Sequence, residues 1–142
     1  MKVELVKTVF LLPKTEKQIV YYAPWLHAGL TCNHRIGRRV QCYLDTGSAI
    51  NVFPLEYAQV FLGFSETSIK KGMYMPITGA GNSKNEAWGY RCTLDLGDIV
   101  LKDTLVFFLA DQPYPLLGQS GFIDRFKRIE INMKDKFIEF EQ

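Results

Sequence analysis

The sequence predicts a mainly β domain, a small β-barrel or sandwich with one or two short helices. Three observations carry that expectation. The apolar runs are short and rich in β-branched and aromatic side chains, as strands are. Eleven Gly and six Pro are spread through the chain as turn punctuation, with no linker, repeat or low-complexity tract. The 142 residues, 47% hydrophobic and 13% aromatic, suit one domain with its own core and rule out a disordered chain.

In chain order, Val3–Leu12 is an apolar segment ending at Pro13. Ile19–Tyr22 and Trp25–Thr31 read as strands, and Asn33–Arg39, with Gly37, as a turn. Val40–Leu44 is a strand that runs directly into Asp45. Pro54–Leu62 reads as a helix: Pro suits the first turn, Leu55, Ala58, Phe61 and Leu62 fall at helical spacing, and Gly63 stops it. Met73–Ile77 and Ala87–Leu96 flank a Gly- and Asn-rich loop, Thr78–Glu86, forming a long hairpin. Thr104–Leu109 is a further strand after the breaks at Asp98 and Lys102–Asp103. Gln119–Phe126 reads as the second helix, with Phe122, Ile123 and Phe126 on one face. Ile129–Asn132 and Phe137–Glu141 close the chain as a hairpin around Met133–Lys136.

Composition narrows function. Seventeen basic against 15 acidic residues, a net charge of +2, give no reason to expect nucleic acid or a membrane surface as partner. The basic cluster His34–Arg39 then reads as a solvated turn. No apolar run reaches the roughly 18 residues of a membrane span. The start, interrupted by Glu4 and Lys7 with no small-residue cleavage site, does not resemble a signal peptide. Cys32, Cys42 and Cys92 lack close pairing and read as reduced thiols in a cytoplasmic compartment. Zinc through Cys32, His34 and Cys42 is the sharper alternative, but no CxxC or HxxxH spacing supports it, so no metal or cofactor is expected.

The informative stretch is Tyr43-Leu44-Asp45-Thr46-Gly47-Ser48-Ala49-Ile50-Asn51-Val52. An acidic residue leaves an apolar strand, enters a tight turn, and apolar residues resume. Alone this is only a turn, since Asp and Gly are common there. Downstream, however, come the glycine-bearing hairpin around Thr78–Asn82 and then Leu116-Leu117-Gly118. The ordered set resembles the retropepsin-like aspartic peptidases, single-lobed relatives of pepsin that include retroviral proteases. The resemblance runs over 25–142, with 1–24 as an N-terminal extension of one domain, 1–142. It implies a small closed β-barrel of the retropepsin (acid protease) type.

The resemblance also implies a chemistry. Metal-free peptide hydrolysis needs an activated water and an acid for the leaving nitrogen, and two close carboxylates sharing one proton supply both. Asp45 would be the catalytic residue. Thr46, Gly47 and Ser48 would support the catalytic turn, Thr46 by hydrogen bonding across the dyad and Gly47 by letting backbone approach the carboxylates. Ile77, Thr78, Gly79, Ala80 and Gly81 would form a flap over substrate, or else an ordinary hairpin turn. Pro113, Tyr114 and Leu116 would line side-chain pockets, or else pack as core. Leu117 and Gly118 would support the catalytic turn from below. Pepsin-like chains carry two D-T-G motifs; this one carries one, so the resemblance implies a homodimer with Asp45 meeting its symmetry mate.

Ser48 and Ala49 stand where retroviral members usually have Ala and Asp. The Ser48 hydroxyl is expected to donate to the Asp45 carboxylate and favour an acidic optimum. Ala49 and Gln119 together remove an Asp–Arg ion pair usual in the family. The expected function is therefore an aspartic endopeptidase acting on extended peptides. The alternatives are a catalytically idle retropepsin fold used as a dimerisation or peptide-binding module, and a small β-barrel adaptor with a coincidental motif.

Overall fold

Strand pairing between distant segments closes the molecule into a barrel. The computed structural model describes residues 1–78 and 84–142. Its strands are β1 (Lys2–Glu4), β2 (Val6–Leu11), β3 (Gln18–Ala23), β4 (Trp25–Cys32), β5 (Arg35–Ile36), β6 (Val40–Leu44), β7 (Asn51–Pro54), β8 (Met73–Thr78), β9 (Lys84–Asp95), β10 (Val100–Leu109), β11 (Leu116–Leu117), β12 (Arg128–Asn132) and β13 (Phe137–Glu141). The main sheet runs β5-β4-β6-β11-β7-β10-β9-β8. A further ladder, Gly29↔Asp95, Leu30↔Leu94 and Thr31↔Thr93, joins β4 back to β9. Six strands, β4, β6, β11, β7, β10 and β9, therefore form a closed barrel, which removes its edges.

The fill follows from strand alternation. Leu26, Leu30, Phe53, Leu94, Phe108 and Leu117 are almost wholly inaccessible. Tyr57 brings a polar end into this core and satisfies it: the Leu30 N–H donates to its hydroxyl at 3.0 Å, and the hydroxyl donates to the Arg38 carbonyl at 2.7 Å. Gly37 is required beside it, since a Cβ there would lie 2.9 Å from the Tyr57 ring carbon that bears the hydroxyl.

Two helices lie between β7 and β8: α1 (Leu55–Phe61) and α2 (Glu66–Ile69). The first matches the expected Pro54–Leu62 segment, with Pro54 at the N-cap and Gly63 at φ +70° behind it. The second was not expected, because four residues are too few to show a helical period. Its signal is instead a capping box, in which the Ser65 and Ser68 side chains each accept from the other's backbone N–H.

Gln119–Phe126 is not the second helix. It holds only a 3-10 turn, Ile123–Arg125, and the left-handed φ of +89° at Gly121 interrupts any longer helix. Its apolar face is nevertheless used: Phe122 and Phe126 are buried and pack edge-on or tilted against Phe140. Asn33–Arg39 likewise contains more than a turn. Asn33 and His34, both at positive φ, form a two-residue hairpin connection into β5.

Outside the barrel, β1 pairs with β13 and β13 with β12 in a three-stranded sheet that ties the two ends of the chain together. β2 and β3 form a separate two-stranded ribbon. Among the described residues, no helix is long and apolar enough to cross a membrane.

Candidate active site

Residues 45–48, the D-T-G-S turn, leave the barrel wall where β6 ends. There the Leu44 N–H donates to the Pro24 carbonyl and the Asp45 N–H to the Leu117 carbonyl, both at 3.0 Å. These bonds aim the Asp45 side chain outward from a buried base. The carboxylate folds back over its own turn: Oδ1 accepts the Gly47 N–H at 2.9 Å, and the Ser48 N–H closes on the Asp45 carbonyl at 3.2 Å. Asp45 is half-buried, while Thr46 and Gly47 are exposed.

A second segment, 118–120, clamps the turn. The Gln119 N–H donates to the Ser48 carbonyl at 2.8 Å and the Ser120 N–H to the Ala49 carbonyl at 2.9 Å. Gly118 is where the segments meet, since a Cβ there would lie 2.7 Å from the Ser48 carbonyl oxygen and collide with the Ile50 carbonyl. This explains Leu-Leu-Gly in physical terms: two strand residues, then the one residue that fits beneath the turn.

Asn51 completes the clamp and was missed as a site residue, because it lies inside an apolar run. Its side chain is fully buried. Oδ1 accepts the Gly118 N–H at 2.9 Å, while Nδ2 donates to the Leu105 and Ser120 carbonyls, each at 3.3 Å. One amide thus links β7, β10 and the segment under the turn. The sequence signal was available: a polar amide inside such a run must find partners when buried.

The Ser48 hydroxyl does not donate to Asp45, as the sequence reading expected. It donates to the Ile50 carbonyl at 2.7 Å, an acceptor that the turn itself places two residues on. Gln119, in the position expected to lose an ion pair, is put to use: its Nε2 donates to the Thr46 carbonyl at 2.7 Å.

The turn forms the floor of a cleft of about 680 Å³. Asp45, Gly47, Ser48 and Ile50 lie on one side, and Met75, Pro76, Ile77 and Thr78 of β8 on the other. Val52, Leu109 and Leu116 add apolar wall. Of the expected flap residues, Ile77 and Thr78 line the cleft; Gly79, Ala80 and Gly81 lie outside the described residues.

The expected pocket residues divide. Leu116 joins the cleft, but Pro113 and Tyr114 line a separate cavity of about 300 Å³ with Val40, Tyr57 and Phe61. The reason is local. The Tyr43 N–H donates to the Pro115 carbonyl at 2.8 Å, pinning that loop along β6, and the Tyr114 ring packs edge-on to Trp25 at 5.0 Å. Gln112, not singled out beforehand, lines both cavities. Tyr43 packs against Trp25 and Tyr114 in the same aromatic group; burial raises its phenol pKa, and the negative charges of Tyr21, Asp45 and Tyr114 add to the effect.

No protein-family model and no curated protein matches the sequence. Solved structures do match the fold. A retropepsin-like aspartic protease from Rickettsia conorii superposes with a TM-score of 0.58 at 19% identity, over 95% of this chain and 98% of that one. The fold is the retropepsin fold. A retroviral protease-like domain of Ddi1 from Leishmania major matches with a TM-score of 0.50 at 12% identity, over 83% of this chain and 94% of that one. Within the retropepsin fold, the cleft between the D-T-G turn and the β8–β9 hairpin is where this chain brings its acidic group and its apolar wall together.

Proposed function

We propose that this chain is an aspartic endopeptidase that works as a homodimer, with Asp45 from each copy forming a two-carboxylate site. One observation carries the reading. The Asp45 carboxylate lies at the floor of a 680 Å³ cleft, on a turn held rigid by a buried clamp, opposite the strand that leads into the flap. Among the described residues lining that cleft, Asp45 is the sole carboxylate. A single carboxylate cannot both take a proton from water and polarise the peptide carbonyl. The exposed Thr46 and Gly47 are available to meet a second copy, and two-fold pairing would supply the missing acid.

In this mechanism the ionised member of the pair removes a proton from a water lying between the two carboxylates. The protonated member hydrogen-bonds the scissile carbonyl and stabilises the charge that develops there. Like charges this close favour the state that shares one proton. An extended peptide would lie between floor and flap, with its alternate side chains against Ile50, Val52, Met75, Ile77 and Leu116.

Sedimentation of the purified chain tests assembly first, and a mixed peptide library from about pH 3 to pH 7 tests chemistry. Cleavage that Asp45→Ala abolishes, and that a pepstatin-type inhibitor blocks, is the expected result. Cleavage surviving in Asp45→Ala removes the mechanism. A stable dimer that cleaves nothing across that range indicates a peptide-binding or dimerisation module instead.

A further inference from the structure

We propose that Cys32 and Cys92 are a redox pair that oxidises to a cross-strand disulfide, stapling the seam where the barrel closes. This goes beyond the proteolytic reading and does not depend on it. β4 and β9 pair in antiparallel register as far as Thr31↔Thr93, and the same register carried one residue further sets Cys32 opposite Cys92. Directly opposed residues in such a ladder have Cα atoms about 4.5–5.5 Å apart, inside the range a disulfide requires. The side chains already converge: the Cys92 thiol donates to Cys32 Sγ at 2.7 Å. Both residues are buried, so no other thiol can approach while the protein is folded. The third cysteine, Cys42, is buried elsewhere, its Sγ 3.5 Å from the Val40 carbonyl and 4.0 Å from that of Ala28.

The arrangement distinguishes the two sulfurs. Cys32 Sγ accepts the hydrogen bond, and that contact lowers its thiol pKa, while the same contact and burial raise that of Cys92. The hydrogen bond that Cys32 Sγ accepts from Cys92 stabilises a thiolate at Cys32, so Cys32 attacks and Cys92 resolves. The oxidant must be small to reach a buried pair, and a hydroperoxide fits. The Cys32 thiolate attacks one oxygen of hydrogen peroxide, the O–O bond breaks, and the departing hydroxide leaves as water with the proton Cys32 gave up. The resulting sulfenic acid is attacked by the Cys92 sulfur. Its S–O bond breaks, and the second hydroxide leaves as water with the Cys92 proton. Two thiols and one peroxide become one disulfide and two waters.

The cross-link would join the strand that continues from the flap hairpin, β9, to the strand that pairs with β6 below Asp45. It would lie at the end of β9 remote from the flap, so the barrel tightens without blocking the cleft.

The test treats the full, folded chain with hydrogen peroxide, quenches it and counts thiols after denaturation. The count should fall from three to one, and a non-reduced digest should contain a peptide linking Cys32 to Cys92. Closing a loop of this length should raise Tm by about 10 °C, reversibly with dithiothreitol. Cys42→Ala should keep the link and finish with no free thiol. A count that stays at three, oxidation that stops at sulfinic acid, or links through Cys42 or between chains would each overturn the proposal.

Discussion

Asn51 is the sharpest place to test the clamp beneath the candidate site. Replacing it with Ala removes three hydrogen bonds from a fully buried position: one from Gly118 and two to the Leu105 and Ser120 carbonyls. Each contributes about 1 kcal/mol net, and leaving the Gly118 N–H buried without a partner costs about 1–3 kcal/mol on its own. These effects overlap, so Asn51→Ala should lose about 3 kcal/mol, seen as a Tm drop of roughly 10 °C for a chain of this size. Urea denaturation should show a lower midpoint with an unchanged m-value. Asn51→Asp makes the test specific. It retains an acceptor for Gly118 but turns the donor into an oxygen facing two carbonyls. That environment disfavours the ionised form, so the folded-state pKa of the introduced carboxyl rises above its unfolded value of about 3.9. Relative to wild type at each pH, the variant should be closest to native below about pH 4, where the carboxyl is protonated and can donate, and should weaken as pH rises. A loss under about 0.5 kcal/mol for Asn51→Ala, or a pH-independent deficit for Asn51→Asp, would refute the reasoning.

Further outcomes follow from other contacts. Gly118→Ala should destabilise by about 1–3 kcal/mol and lower any peptidase activity, because its Cβ must displace the Ser48 and Ile50 carbonyls; urea melts and peptide cleavage read both. Ser48→Ala should leave the pH optimum in place and cost about 1 kcal/mol, since its hydroxyl serves the Ile50 carbonyl and not Asp45; an optimum that moved upward would restore the direct contact. Stability should fall in alkali between about pH 9 and pH 12. Burial pushes the Cys42 thiol and the Tyr57 phenol each up to about 12, so both stabilise fully below their unfolded values, about 9 and 10, and lose that contribution as pH rises through 12. Tyr57→Phe should flatten part of that slope while costing about 1–3 kcal/mol at neutral pH, because the Leu30 N–H loses its acceptor.

Much of the site was legible because its signals are local. The strand Val40–Leu44 running into Asp45 and the tight turn after it followed from residue type and spacing, while the place of Leu-Leu-Gly beneath that turn was implied only by the family resemblance. The helix after Pro54 was readable for the same reason, since Pro starts it and Gly63 stops it. What failed depended on partners distant in sequence. The Ser48 hydroxyl was expected on Asp45, and only the folded turn set it on the Ile50 carbonyl. Pro113 and Tyr114, expected to line side-chain pockets, line a cavity separate from the one that holds Asp45, a placement that depends on Trp25 and Tyr43. Phe122 and Phe126 carried a helical pattern that Gly121 and the packing against Phe140 resolved into a 3-10 turn.

By itself the sequence determined the mainly β class, the strand that delivers Asp45 and the tight turn that follows it, because turn chemistry and side-chain alternation act over a few residues. The tertiary structure alone decided that β4 pairs with β9 to close the barrel, that Asn51 serves three backbone groups, and that Cys32 meets Cys92 across 60 positions of chain. Those outcomes depend on ladder register between strands far apart, and register is set jointly by every side chain that must share one core.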